Sequence, residues 1–154
     1  MRTRAQTTPL QQTLASVREK VHSGCVVCGA SNTRGLHLDF AVMPDGSVQA
    51  DFPCADVLKG YLHTLHGGVI ASLLDGAMTN CLFAHGCLAV TAELAVQFLK
   101  PVATDRKATV QAWLENSMLC LHRLAAELRQ DGEVMARATG KFAERYAALA
   151  EEKS

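Results

Sequence analysis

The chain has 154 residues, enough for one ordinary domain with a hydrophobic core and short for two. Its 15 Lys plus Arg balance 15 Asp plus Glu, so it lacks the electrostatic footprint that a nucleic-acid binder needs. MRTRAQTTPL at the start holds two arginines with no apolar run after them, and no stretch reads as a membrane span, so a cytoplasmic address is the expectation.

Residues 9–22 (PLQQTLASVREKVH) carry Leu10, Leu14 and Val17 at helical spacing, which predicts a short N-terminal helix lying on the domain. From residue 36, LHLDFAVM alternates Leu36, Leu38, Phe40 and Val42 against His37, Asp39 and Ala41. The turn signal PDGS follows, and VQADF resumes the alternation, a strand, hairpin, strand pattern. A long apolar helix comes next, HGGVIASLLDGAM and onward. After it VTAELAVQFLKP puts Val90, Ala92, Leu94, Val96 and Phe98 on one face before Pro101 ends the strand. ATVQAWLE, LCLHRLAAEL, a DG turn at 131–132 and VMARATGKF complete the extended runs, and a charged helical tail closes the chain at 146–154.

This order is two strands, one long helix, then about four strands in a meander. An apolar helix inside a run of antiparallel strands must be covered by them, which predicts an α+β domain with one sheet curled around one helix. The expected division is an N-terminal helix and CxxC loop over 1–35, the main domain over 36–144, and the tail over 145–154.

The central helix has a wide apolar stripe of Val69, Ile70, Leu73, Leu74, Ala77, Met78 and Cys81. Asp75 points away from it, with Ser72 and Thr79 on its side, toward water or a partner surface. At the other end, Gly67 and Gly68 open the helix where its first N–H groups lack intrahelical acceptors and the macrodipole adds positive charge. The simple reading of two glycines is a tight strand-to-helix turn. The chemical reading is a donor pair open to a substrate oxygen, with a carboxylate nearby to activate or become a nucleophile, which is the minimum equipment for acyl transfer.

LHGGVIASLLDGAM followed by VTAELAVQFLKPV resembles the hot-dog-fold acyl-CoA thioesterases, in particular the phenylacetate-pathway type. That type's signature is HGG, an acid eight residues after the first glycine, and a strand ending in a Phe/Tyr-Leu-x-Pro-like turn. The similarity covers roughly residues 36–144, and CVVCGASNTRGLHLDF upstream resembles an N-terminal segment of some members. The resemblance implies hydrolysis of an acyl-CoA thioester by a homodimer, assembling to a tetramer, with active sites at the subunit interface and no cofactor. Gly67 matches the position whose backbone N–H polarises the thioester carbonyl, flanked by His66 and Gly68. Asp75 matches the catalytic carboxylate, general base or nucleophile. Thr91 falls where several relatives place a Ser or Thr that orients the water or the acid, and strand parity puts it on the polar face with Glu93 and Gln97.

Some relatives carry an Asn or Gln a few residues before HGG. Here the region reads KGYLHT, with Gly60 at that place and Tyr61 and His63 nearby as substitutes. Lys100, Arg106 and Lys107 around the LKPVATDRK turn are candidates to meet the CoA phosphates; otherwise they are a solvated strand end.

The six cysteines are scattered, several in apolar contexts, which suits a reducing compartment and small core residues. Cys25 and Cys28 form a CxxC. A zinc site would need partners from elsewhere, since no second CxxC exists and the other cysteines and histidines do not stand at ligand spacing. A redox pair would precede a helix, whereas GASNTRG reads as a turn. The expectation is two ordinary thiols in a docking loop and no metal. Two other functions share the sheet-wrapped helix: a non-catalytic acyl-CoA binder, and a hydratase or dehydratase, which needs a His paired with an acid and would use His66.

Overall fold

The computed structural model describes residues 8–144; the tail read at 145–154 lies outside them. Helix α1 (Pro9–Val21) starts where the Thr8 side chain accepts the Gln11 N–H at 3.2 Å, with Pro9 in the first turn, where its missing N–H is not needed. Leu14 is fully buried, with Val17 and Val21 packed beside it.

The strand expected over 36–43 is shorter than its alternation suggests. Only β1 (Ala41–Val42) joins the sheet. The preceding N–H groups are drawn to the N-terminal loop instead: Leu36 and Leu38 donate to the Val26 and Val27 carbonyls at 2.7 and 2.9 Å, and His37 adopts a positive φ of 52° between them. Leu38 and Phe40 are nevertheless buried and Asp39 exposed, so the side-chain pattern survives the change of backbone partner. At PDGS the Asp45 carboxylate accepts the Ser47 N–H and hydroxyl at 3.0 and 2.6 Å, turning the chain into β2 (Val48–Pro53).

Helix α2 (Gly67–Ala84) follows, then β3 (Ala89–Phe98), β4 (Lys107–Met118), β5 (Leu121–Gln130) and β6 (Glu133–Glu144). The six strands form one sheet in the order β1-β2-β4-β5-β6-β3, antiparallel at every pairing. This is the predicted strand count and arrangement around one helix.

Helix α2 touches β2 through β6. Leu73, Leu74, Ala77, Met78, Cys81 and Leu82 are all fully buried, against sheet residues including Val110, Leu124, Leu128 and Phe142. Each large side chain so buried contributes roughly 1.5–3 kcal/mol, which outweighs the weak helix propensity of three glycines in α2. The helix has the length and hydropathy of a membrane span, yet most of it is buried inside the domain, as expected of a core helix. Its outer face is covered by the N-terminal segment. Gly76 permits this, because a Cβ there would stand 2.5 Å from Cγ1 of Val27.

Candidate active site

His66 caps α2 with extended backbone (φ −62°, ψ 135°), and its Nδ1 accepts the Gly68 N–H at 2.8 Å. The His66 carbonyl accepts from the Ile70 N–H at 3.1 Å. This corrects the expected donor pair: the Gly68 amide is already satisfied by the imidazole, and His66 serves as a cap. The Gly67 N–H has no hydrogen-bond acceptor among the described residues, so of the two glycine amides one stays free at the positive end of the helix. Gly67 lines a cavity of about 330 Å³ with Tyr61, Ile70, Phe98, Leu99 and Lys100.

Asp75 lies eight residues along, which is about 12 Å up the axis and roughly 80° around it in α-helical geometry. It lines a different cavity, of about 360 Å³, with His22, Cys25, Ser72, Thr79 and Thr91 among its walls. Ser72 and Thr79 share its side as the helical angle predicts. The acid is half-buried, with Val21, His22, Cys25, Val26 and Val27 lining its cavity on one side and Thr91 of β3 on the other.

The Thr91 hydroxyl donates to Asp75 Oδ1 at 2.7 Å. Strand parity had placed Thr91 with Glu93 and Gln97, and a β-bulge corrects this. On β6, Thr91 pairs with Phe142 but Glu93 pairs with Lys141, so Ala92 is an extra residue and the alternation shifts there. Thr91 shares the face of fully buried Phe142, toward α2, while Glu93 stays outside in an ion pair with Lys141 at 3.1 Å. Val90 is displaced from the stripe in the same way; Leu94 and Val96 keep their packing against the core.

Burial pushes the Asp75 carboxyl above the ordinary aspartate range, opposed by the Thr91 hydrogen bond. Cys25 and His22 act on it more weakly and in opposite senses, the thiol sulfur raising it and the imidazole lowering it. Cys25 itself is held toward thiolate, first by the Cys28 thiol and also by His22 and backbone N–H groups, while Cys28 is pushed the other way by that pairing and by burial. The sequence signal missed here is His22, three residues before Cys25, whose Nδ1 lies 3.4 Å from Cys28 Sγ. HxxCxxC was legible as a spacing and read only as CxxC.

The structure gathers the other predicted residues unevenly. Tyr61 and Lys100 stand in the Gly67 cavity, Tyr61 almost fully exposed. Lys100 is paired with Glu133, Arg106 with Asp105 and Asp131 at 3.0 and 2.8 Å, and Lys107 with Asp51 at 2.9 Å. His63 takes a positive φ of 58° in the loop and lines neither cavity. Gly60 packs against His66, where a Cβ would meet the His66 Cα and Cδ2 at 3.3 Å. A larger cavity of about 510 Å³ lies at the β4–β5 hairpin, but its walls are mostly apolar and hold no carboxylate. The acid and the free amide line the two smaller cavities.

Residues 62–117, which include His66 to Gly68, Asp75 and Thr91, match the family model of the thioesterase superfamily. The domain has the hot-dog fold, and the thioesterase-superfamily match lies on its helix α2 and the two strands that follow. A crystal structure of a thioesterase superfamily protein is 25% identical at a TM-score of 0.71, covering 75% of this chain and 60% of that one, so the similarity spans less than two thirds of that protein. The PaaI protein from the phenylacetic acid degradation operon of E. coli has the same fold along nearly the whole length, with a TM-score of 0.75, 18% identity, and coverage of 92% of this chain and 96% of that one. A hypothetical thioesterase of Streptococcus pneumoniae TIGR4, solved with coenzyme A, superposes at a TM-score of 0.66 with 19% identity over 70% of this chain and 85% of that one. No curated protein matches the sequence.

Proposed function

We propose that this hot-dog domain hydrolyses an acyl-CoA thioester at a site shared by two copies of the chain. The observation that carries the proposal is the half-buried Asp75, held by Thr91 on the wall of a cavity and separated from the free Gly67 amide by two helical turns. Within one chain the two groups are too far apart to act on a single carbonyl, whose oxyanion donor and attacking oxygen must each lie about 3 Å from the reacting carbon and its oxygen. Two antiparallel copies of α2 would bring Gly67 of one subunit beside Asp75 of the other. An isologous dimer does this twice.

In this reading the Gly67 N–H donates to the thioester carbonyl oxygen and stabilises the oxyanion as it forms. Asp75 takes a proton from water, which attacks the carbonyl carbon, or attacks that carbon itself to give a mixed anhydride that water then opens. Thr91 holds the carboxylate in one rotamer, leaving Oδ2 for the chemistry. The C–S bond breaks, CoA thiolate leaves, and the free acid remains. A bound coenzyme A in a neighbour of the same fold supports a CoA ester as substrate. Tyr61 and Lys100, beside Gly67, are the residues best placed to meet it; Lys100, like Arg106 and Lys107, would first have to leave its carboxylate partner.

A hydratase or dehydratase is disfavoured, since Nδ1 of His66 is engaged by Gly68 and the imidazole sits at the opposite end of the helix segment from Asp75. The test is thiol release from short, medium, long and aryl acyl-CoAs by the wild type and Asp75→Asn. Turnover of at least one ester, lost in the variant, is expected; equal activity of the two proteins overturns the role of Asp75.

A further inference from the structure

We propose that His22, Cys25 and Cys28 bind a zinc ion that cross-links the end of α1 to the loop after it, with one coordination position open toward the Asp75 cavity. One ligand atom from each residue lies within 4.8 Å of the others, and the half-buried His22 and Cys25 flank the buried Cys28. The His22 Nδ1 to Cys28 Sγ distance of 3.4 Å is close to the edge of a tetrahedron with Zn–N of about 2.0–2.1 Å and Zn–S of about 2.3 Å, which is roughly 3.5 Å. An imidazole and two thiolates suit zinc by ligand type.

The surroundings have the features a thiolate-bound metal needs. The Val27 N–H points at Cys25 Sγ at 3.3 Å, and the Asn80 side-chain amide donates to Cys28 Sγ at 3.4 Å. Both donors favour negative sulfur and orient it, as outer partners of metal ligands do. The Asn80 amide is buried and fixed by a second bond to the Gly76 carbonyl at 2.8 Å. The turn carrying the cysteines is closed by Gly29, whose N–H reaches the Cys25 carbonyl at 2.9 Å and where a Cβ would lie only 2.3 Å from the Cys25 nitrogen. CVVCG is thus a tight knuckle that presents two sulfurs to one point. The His22 ring is held edge-on to Phe83, with centroids 4.9 Å apart.

A second cluster in the molecule shows what fails this test. Cys87, His122 and Glu144 are equally close, but both nitrogens of His122 are engaged at 2.8 Å, by Ser117 and by Glu144. At His22, Nδ1 faces a sulfur. Two of the three proposed ligands, His22 and Cys25, line the cavity that holds Asp75, so the fourth position is available to water or to a ligand there.

The experiment is a titration of the full-length, fully reduced, metal-free protein with Co²⁺, followed by competition with Zn²⁺. One Co²⁺ per chain is expected, with thiolate charge-transfer and tetrahedral d–d absorption that Zn²⁺ abolishes and that Cys25→Ser and Cys28→Ser lose, while Cys120→Ser at an exposed site keeps it. Zinc should also raise the melting temperature of the wild type. Substoichiometric binding with no charge-transfer band in protein of verified free thiol content overturns the proposal, and so does a band that survives both cysteine variants. If a cysteine variant does not fold, the wild-type titration decides alone, since the band reports sulfur ligation directly.

Discussion

The Thr91 hydroxyl reaches Asp75 because Ala92 is an extra residue in β3. Without that bulge Thr91 would lie on the outer face beside Glu93, and the acid would have no partner from the sheet. Thr91→Val keeps the shape and removes the donor. A hydrogen bond to a charged group of about 1.5–3 kcal/mol predicts a fall in kcat of roughly tenfold to a hundredfold. The same bond lowers the Asp75 pKa, so its loss moves the acidic limb of the pH–rate profile upward. Steady-state kinetics across pH checks both parts.

Asp75 itself titrates above the ordinary aspartate range because it is buried, so activity should rise with pH along a limb displaced to higher pH than a solvated aspartate gives. Stability follows the opposite course. A carboxyl whose folded pKa exceeds its unfolded value contributes stability below the unfolded pKa and loses it as pH rises through the folded one. Asp75→Asn should therefore melt higher than the wild type near neutral pH, with the difference closing in acid. Its kcat should fall by about 10²-fold or more. Thermal melts at several pH values and thiol-release assays test the pair of effects.

His66→Ala removes the acceptor of the Gly68 N–H and should lower stability by about 1 kcal/mol, the usual loss at a helix N-cap. Because the imidazole is a cap in this account, the pH–rate profile should keep its shape. A limb lost from the profile would return His66 to acid/base chemistry.

Gly76→Ala drives a methyl into Val27, and overpacking of this kind costs about 1–3 kcal/mol. If residues 21–27 are what desolvates Asp75, lifting them brings its pKa down. The variant should combine a lower melting temperature with an acidic limb shifted to lower pH.

Much of this fold was legible because its periodicities are strong: the α2 stripe from Ile70 to Cys81 is buried as its angles require. HGG and Asp75 were legible as a spacing. The misreadings came from places where backbone geometry is decided by distant partners. The bulge at Ala92 leaves no mark in the alternation, since Ala fits either face. Residues 36–40 alternate like a strand while bonding to the loop at 26–27. Gly68 looks like a second open amide until the His66 rotamer fills it, and the placing of residues 21–27 along the Asp75 cavity depends on contacts far apart in the chain.

The central claim is that Gly67 of one subunit and Asp75 of another serve the same thioester. Gly67→Pro removes the donor at the first helical position, where proline is tolerated, and the extended His66 before it suits a following proline. Either variant alone should be nearly inactive, with loss of one oxyanion donor costing about 10²–10³-fold in kcat. Co-expressing Asp75→Asn with differently tagged Gly67→Pro and isolating the mixed oligomer is the direct measurement. In a shared site each mixed pair holds one intact site, so activity returns. Mixed oligomers as inactive as the parents would contradict the account.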